Sequence, residues 1–397
     1  MIANTLIFVT SFLVVLSLIV FIHEMGHYGV AKLFGTKIDR FSVGFGKPIF
    51  KKTLASGEEW VVSSLPLGGY VKFAGDETAF SSADHDKLKE LAKQPGAEDL
   101  FQFKPLWQRA LIVAAGPAAN FILAIVIFAG MLMAYGEYVT KTEIFEVIED
   151  SPAQAAGFLP GDRFVAIDDK IIDTSIDVMS YVSLRAGESL NVIVERDGRE
   201  ITLPVTPERK MREDAIGGQT AMGTMGVRMR QELVETIDYG PLEALGRGTQ
   251  QLGETIAMTG HYAGRIFQGK EDGKAFGGVL RIFAMTGKVA VDGAAPTAEG
   301  ANGAVIQKSM GERVRATALR LLNLMALLSI GLGIANLVPI PALDGGHLLY
   351  YSYEAVAGRP LSPQAQDLGY RLGIAVLVGL FVILTFNDIG YIRSLLS

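Results

Sequence analysis

Four stretches of this chain are so long and so apolar that they restrict its fold more than any other feature. Residues 6–22 carry no formal charge, and residues 111–136, 321–343 and 374–386 form three further apolar runs. With its flanks, each is long enough to cross about 30 Å of hydrocarbon as a helix. Composition agrees: 49% of residues are hydrophobic, only 20% are charged, and mean hydropathy is +0.31. The first run has no basic residue before it, since the first positive charge is Lys32, and no small-x-small cleavage site follows. It reads as a membrane span and not as a signal peptide.

Charge sets the expected topology. Residues 35–105 hold ten Lys/Arg, with Lys47, Lys51 and Lys52 near the first span, and no Lys or Arg precedes that span. The loop is therefore expected in the cytoplasm and the N-terminus outside. Residues 136–312 carry 18 basic and 27 acidic side chains, which alternation places outside. Arg313, Arg315 and Arg320 then lie at the outer end of the third span, against the simple rule, although long loops are exempt from it. A net charge of −6 offers no basic stripe, so no nucleic-acid partner is expected. Cysteine is absent, which excludes disulfides, thiolate metal sites and cysteine nucleophiles.

The expected division is a first span at 1–34, a cytoplasmic or membrane-associated β loop at 35–105 and a second span at 106–136. An external domain at 137–208 and an amphipathic and linker region at 209–312 follow. A third span at 313–341, a turn and cytoplasmic loop at 342–365 and a fourth span at 366–390 complete the chain. In the first loop, Phe41 to Gly46, Trp60 to Leu65 and Tyr70 to Phe73 read as strands, and residues 76–100 as a polar excursion. Residues 143–208 read as strand, short helix, strand, helix and hairpin, with Asp177 to Ala186 as the second helix and Asp197-Gly198 as the hairpin turn. Residues 241–268 have amphipathic spacing, and 291–304 read as an Ala/Gly-rich linker.

The chemistry sits where the first apolar run ends, at His23-Glu24-Met25-Gly26-His27. On a helix, positions i and i+4 share a face, so His23 and His27 can grip one metal ion while Glu24 acts as base toward a water on it. Three ionisable groups in a membrane helix are expensive and default to function. A catalytic zinc needs a third protein ligand. The metzincin extension fails, because positions 30 and 33 are Val30 and Leu33. Glu58 and Glu59 lie at a suitable distance in sequence but within a strand. The better candidate is Asp344, the sole acid in Asn336-Leu337-Val338-Pro339-Ile340-Pro341-Ala342-Leu343-Asp344-Gly345-Gly346-His347. Zn²⁺, one aspartate and one hydroxide sum to zero charge, the form most tolerable in low dielectric. A helix-capping role for Asp344 and ligation by His347 are the alternatives.

The paired motifs, His23-Glu24-x-x-His27 in a first span and Asn336-x-x-Pro339-x-x-x-x-Asp344-Gly345 in a third, resemble the site-2 protease family of intramembrane zinc metalloproteases. Ala155-Ala156-Gly157-Phe158-Leu159-Pro160-Gly161-Asp162 resembles a bacterial PDZ domain. Its position between spans two and three, with Gly116-Pro117-Ala118-Ala119-Asn120-Phe121 in span two, resembles the RseP branch. Members of that branch often carry two PDZ domains, and one is found here. The fold thus expected is a polytopic α-helical membrane protein of four transmembrane helices, with a membrane-associated β-hairpin loop and an inserted α+β PDZ domain.

The resemblance implies an inner-membrane enzyme, with N-terminus and PDZ domain periplasmic. It implies single-span membrane-protein substrates, such as anti-sigma factors already trimmed by an upstream site-1-type protease, or remnant signal peptides. Zn²⁺ is the expected cofactor, Glu24 the catalytic base, and His23, His27 and Asp344 the ligands. Asn336, Asn120, Gly44, Gly46, Gly68 and Gly69 are the expected substrate-binding residues. Interhelical packing is the alternative for Asn336, Gly116 and Asn120. Membrane lipid and an exposed C-terminus bound by the PDZ domain are the other expected partners. A non-catalytic scaffold presenting a PDZ module is the alternative from another class. A metal transporter is a third, and it lacks the expected internal repeat.

Overall fold

The computed structural model describes residues 2–75, 95–140, 142–213, 219–230, 233–271, 273, 276–299 and 305–396. In chain order its elements are α1 (Ile2–Leu33), β1 (Ile38–Thr53), β2 (Glu59–Phe73), α2 (Leu106–Tyr135), β3 (Glu137–Thr140), β4 (Ile144–Val147), α3 (Pro152–Ala155), β5 (Arg163–Ile167), β6 (Lys170–Ile171) and α4 (Ser175–Ser183). They continue with β7 (Leu190–Arg196), β8 (Arg199–Val205), β9 (Glu208–Glu213), β10 (Gln219–Thr224), β11 (Val227–Met229), β12 (Leu233–Ile237), α5 (Pro241–Phe267), α6 (Val279–Ala294), β13 (Thr297–Glu299), β14 (Val305–Gln307), α7 (Met310–Leu337), α8 (Asp344–Ala357) and α9 (Pro363–Leu396). The chain forms two compact units, Met1–Phe128 with Gly278–Phe386, and Ala129–Gly277 with Asn387–Ser397.

Four helices are long and apolar enough to cross a membrane: Thr5–Leu33, Leu106–Tyr135, Met310–Leu337 and Pro363–Arg393. These are the four that the apolar runs predict. The third ends at Leu337, short of the expected 341, because Pro339 and Pro341 have no N–H to continue the helical ladder. Asp344 then opens a separate helix, α8, where a turn and loop were expected. Gly345 permits that packing: a Cβ there would fall 2.3 Å from the Leu337 carbonyl oxygen.

In the first unit β1 and β2 pair antiparallel, and both bend, so Phe41 faces both Trp60 and Val71 while Phe50 faces Val62. Phe41, Val71 and Phe73 are buried with Ala31 of α1 and Ile112 and Val113 of α2, which seats the strand pair on both helices. Tyr28 and Lys32 of α1 both hydrogen-bond Glu58, the first at 3.0 Å. α6 packs on α1 through Phe283 against Phe8 and Phe12. Of the expected excursion at 76–100, residues 76–94 lie outside the described residues; Ala97–Asp99 forms a short 3₁₀ turn.

The second unit has its own core of Ile144, Phe158, Phe164, Ile167, Val192 and Val194. Its four-stranded sheet runs in the order β6-β5-β7-β8. Asp197 and Gly198 take φ of 51° and 75°, the left-handed pair that a tight two-residue hairpin requires. α4 starts at Ser175, ahead of the expected Asp177, because Thr174 and Asp177 form a reciprocal capping box. Val147 of β4 pairs with Val227 of β11, so this unit extends past the expected edge at 208. The amphipathic stretch is α5, whose buried Arg265 bonds Glu188 and the Ala186 carbonyl. The expected linker at 291–304 is helical to Ala294 and paired at β13–β14. Its residues 300–304 lie outside the described residues.

Candidate metal centre

His23 and His27 occupy successive turns of α1, at the i and i+4 spacing that aligns two side chains on one face. Their Nε2 atoms lie 3.2 Å apart. The Asp344 Oδ2 atom reaches them from the first turn of α8, at 3.3 Å from His23 and 3.5 Å from His27. Among the described residues these three form the group that can hold a metal ion. Tetrahedral ligation at 2.0–2.1 Å demands a donor–donor edge of about 3.3 Å, so the triangle has the size of one face of a zinc site.

The electrostatics lead to the same conclusion. His27 Nδ1 lies 2.9 Å from the Ile112 carbonyl oxygen of α2, and a carbonyl only accepts. Nδ1 is the donor there, so the neutral ring turns its Nε2 lone pair toward Asp344. The Asn120 side-chain amide lies 3.2 Å from His23 Nδ1, and its buried oxygen has no partner when the amide nitrogen faces the ring. Turning that amide satisfies both groups: Oδ1 accepts from Nδ1–H, and the His23 Nε2 lone pair also faces inward. Two imidazole lone pairs then converge on the Asp344 Oδ2 atom, which is buried without a hydrogen-bond donor. With both rings neutral, the form that ligates a metal, three electron-rich atoms at this separation repel unless a cation lies among them. The donor set fits zinc.

Glycine makes room for the rings. A Cβ on Gly116 of α2 would lie 2.3 Å from His27 Nε2 and 2.9 Å from His23 Cε1. Glu24 is buried next to His23, with its Cγ 2.7 Å from where a Gly69 side chain would begin. The histidines, Glu24, Asp344, Asn336, Gly68 and Gly69 all line one cleft of about 540 Å³. Asn336 Nδ2 stands 3.4 Å from His23 Nε2.

The other expected site residues fall elsewhere. Asn120 is fully buried behind His23 and does not line the cleft. Gly44 and Gly46 pack against Leu65 and Ser64 within the strand pair and are not in its wall. Glu58 is engaged by Tyr28 and Lys32, and Glu59 by Arg40 and Lys51, so neither joins the metal group. His347 lines the cleft without joining the triangle. The Ile112 carbonyl was not expected at all, because a backbone oxygen leaves no mark in sequence.

Residues 11–380 match peptidase family M50. The chain belongs to that family. Its M50 relatives include a protein of Rhizobium meliloti named as a zinc metalloprotease, 41% identical over 97% of this chain and 96% of its own length. The metalloprotease MmpA of Caulobacter vibrioides is 40% identical over 97% of this chain and 96% of its own. A Rickettsia conorii protein, also named as a zinc metalloprotease, is 31% identical over 97% and 99%. M50 membership makes the chain a membrane metalloprotease, and zinc is the metal for which its relatives are named.

Proposed function

We propose that this M50 peptidase hydrolyses peptide bonds of single-span membrane proteins at the membrane, with His23, His27 and Asp344 holding zinc and Glu24 as the base. The observation that carries this reading is the triangle of two histidine Nε2 atoms and the Asp344 Oδ2 atom, with edges of 3.2, 3.3 and 3.5 Å, beside a buried glutamate. A zinc ion there supplies Lewis acidity and a nucleophilic water near neutral pH. The chain's own groups do the rest. The Glu24 carboxylate takes a proton from the attacking water and returns it to the leaving amine. The Asn336 amide, on the cleft wall, donates to the oxygen on which charge develops.

A helical substrate hides its peptide bonds in its own hydrogen bonds, so it must be extended before it is cut. Residues 69–73 support a role in this step. They pair with 38–43 along one edge, and Gly69, Tyr70, Val71 and Phe73 line the cleft. Strand addition along that segment holds an extended substrate by its backbone, with Gly69 leaving space above Glu24. The second unit, with its capped short helix and four-stranded sheet, supports the reading of a PDZ domain of the RseP branch that takes an exposed C-terminus or excludes bulky substrates. In that reading the N-terminus and this unit are periplasmic, in the bacterial inner membrane. The substrate, such as an anti-sigma factor trimmed by an upstream protease, is then cut in regulated intramembrane proteolysis.

The test is cleavage of a single-span peptide with a helix-breaking centre by purified full-length protein. Wild type is expected to cut it, a chelator to stop cleavage and added zinc to restore it. Glu24→Gln is expected to retain zinc and lose about 10²–10⁴-fold in kcat, the range of a lost general base. A Glu24→Gln variant as fast as wild type would remove Glu24 from the mechanism.

A further inference from the structure

The two halves of the metal triangle come from opposite ends of the chain, so something must hold α8 in register with α1. Asp344, His347, Tyr351 and Glu354 follow one another along one face of α8. Beyond residue 350 that helix is exposed except at Tyr351 and Glu354. Glu354 Oε1 takes a hydrogen bond of 2.6 Å from Arg109 Nη2 of α2. The Arg109 guanidinium also donates to the Lys104 carbonyl at 3.1 Å and lies 5.0 Å from the Tyr351 ring centroid. Both charged groups are largely buried, with side-chain exposures of 15% and 19%. Arg109 lies one turn before Ile112, whose carbonyl fixes the His27 ring. One helix end thus contacts both halves of the centre.

We infer that Arg109 and Glu354, packed on Tyr351, form a positioning clamp that holds α8 against α2 and keeps Asp344 within ligand reach of His23 and His27. The inference rests on the assignment of those three residues as ligands. Its physical basis is tolerance. Metal–ligand distances allow only about 0.2 Å, whereas the connection from α7 into α8 is a non-helical turn broken at Pro339 and Pro341. Leu348 and Tyr351 still pack on the core without the clamp, but α8 loses its ion-pair tie to α2, and a small shift on that turn moves the carboxylate relative to the imidazoles. Arginine suits the task because its planar fork binds a carboxylate and a carbonyl while its face stacks on an aromatic ring.

The experiment measures zinc affinity of the full-length protein in detergent, by competition with a chelator, alongside the visible spectrum of the cobalt-substituted form. Arg109→Gln and Glu354→Gln are each expected to weaken zinc binding 10–100-fold, the usual cost of removing an outer support of a metal site. Their cobalt spectra should lose the intensity of a regular four-coordinate site. The double variant should be no weaker than the worse single one, because both remove the same contact. Glu58→Gln breaks a different ion pair, between buried Glu58 and the more exposed Lys32, and should leave zinc affinity unchanged. Arg109→Lys keeps the charge and loses the fork; it should also weaken binding, and it carries the test where the neutral variants fail to fold. Wild-type affinity in Arg109→Gln and Glu354→Gln, or in Arg109→Lys where those do not fold, overturns the clamp, as do losses that simply add. Asp344→Asn separates the two ideas: if it keeps full zinc affinity, the ligand assignment itself falls.

Discussion

At the scale of single residues, the metal centre depends on side chains that are missing as much as on those present. His23 and His27 are readable because their i and i+4 spacing is a local property of one helix. Gly116 is different. In sequence it is a small residue in a membrane helix, for which packing is the ordinary explanation. In the structure its absent side chain is the space in which two imidazoles sit. Gly116→Val is therefore expected to displace both rings and abolish zinc binding with helicity retained. Gly130→Val, at a position on the same helix with no atom within 4 Å of the new Cβ, should leave zinc bound. Metal content by elemental analysis and circular dichroism of both variants decide this. Asn120 shows the same limit. It is expected to touch substrate, and it lies behind His23, with its amide 3.2 Å from the ring nitrogen that faces away from Asp344.

At the scale of elements, caps and breakers explain most boundaries, and contacts distant in sequence explain the rest. Ser309 and Glu312 start α7 with a capping box, and Pro339 and Pro341 prevent it from continuing into α8. α5 is tied to β3 by Arg247, which bonds both oxygens of Glu137, at 2.6 and 3.0 Å, while Tyr239 adds a third hydrogen bond at 2.6 Å. The Arg247 guanidinium holds the Glu137 carboxyl below the usual glutamate range; partial burial opposes it and Tyr239 assists. A depressed carboxylate contributes stability above its unfolded pKa of about 4.3 and loses it as pH falls through the lower folded value. Amide hydrogen exchange in β3 and β12 is therefore expected to accelerate as the pH is lowered below about 4, beyond the intrinsic pH effect. In Glu137→Gln that added acceleration should vanish. Equal pH responses in the two proteins would show that the pair does not hold the strand.

At the scale of the whole molecule, the chain builds two separate cores. The second unit closes on Phe164, which is fully buried among Ile144, Phe158 and Val192. Phe164→Ala is expected to cost about 3–5 kcal/mol, the range for a truncated core phenylalanine. That loss should appear as protease sensitivity within residues 142–213 of the full-length protein, with zinc content unchanged. The reason is that the triangle of His23, His27 and Asp344 belongs entirely to the other unit. A Phe164→Ala protein that sheds its zinc would show that the two cores do not hold independently.

The sequence by itself determined the four membrane-length helices, the histidine pair with its glutamate, and the candidacy of Asp344. Each is a local signal: an apolar run, a helical spacing, or a lone acid where prolines break a helix. Only the tertiary structure decided that Asp344 meets the histidines, that Ile112 and Asn120 orient them, and that Arg109 reaches Glu354. The last three contacts span 85, 97 and 245 residues of chain. Backbone carbonyls and the space above a glycine have no letter of their own, so no local pattern announces them. They exist only once helix packing has closed the distance.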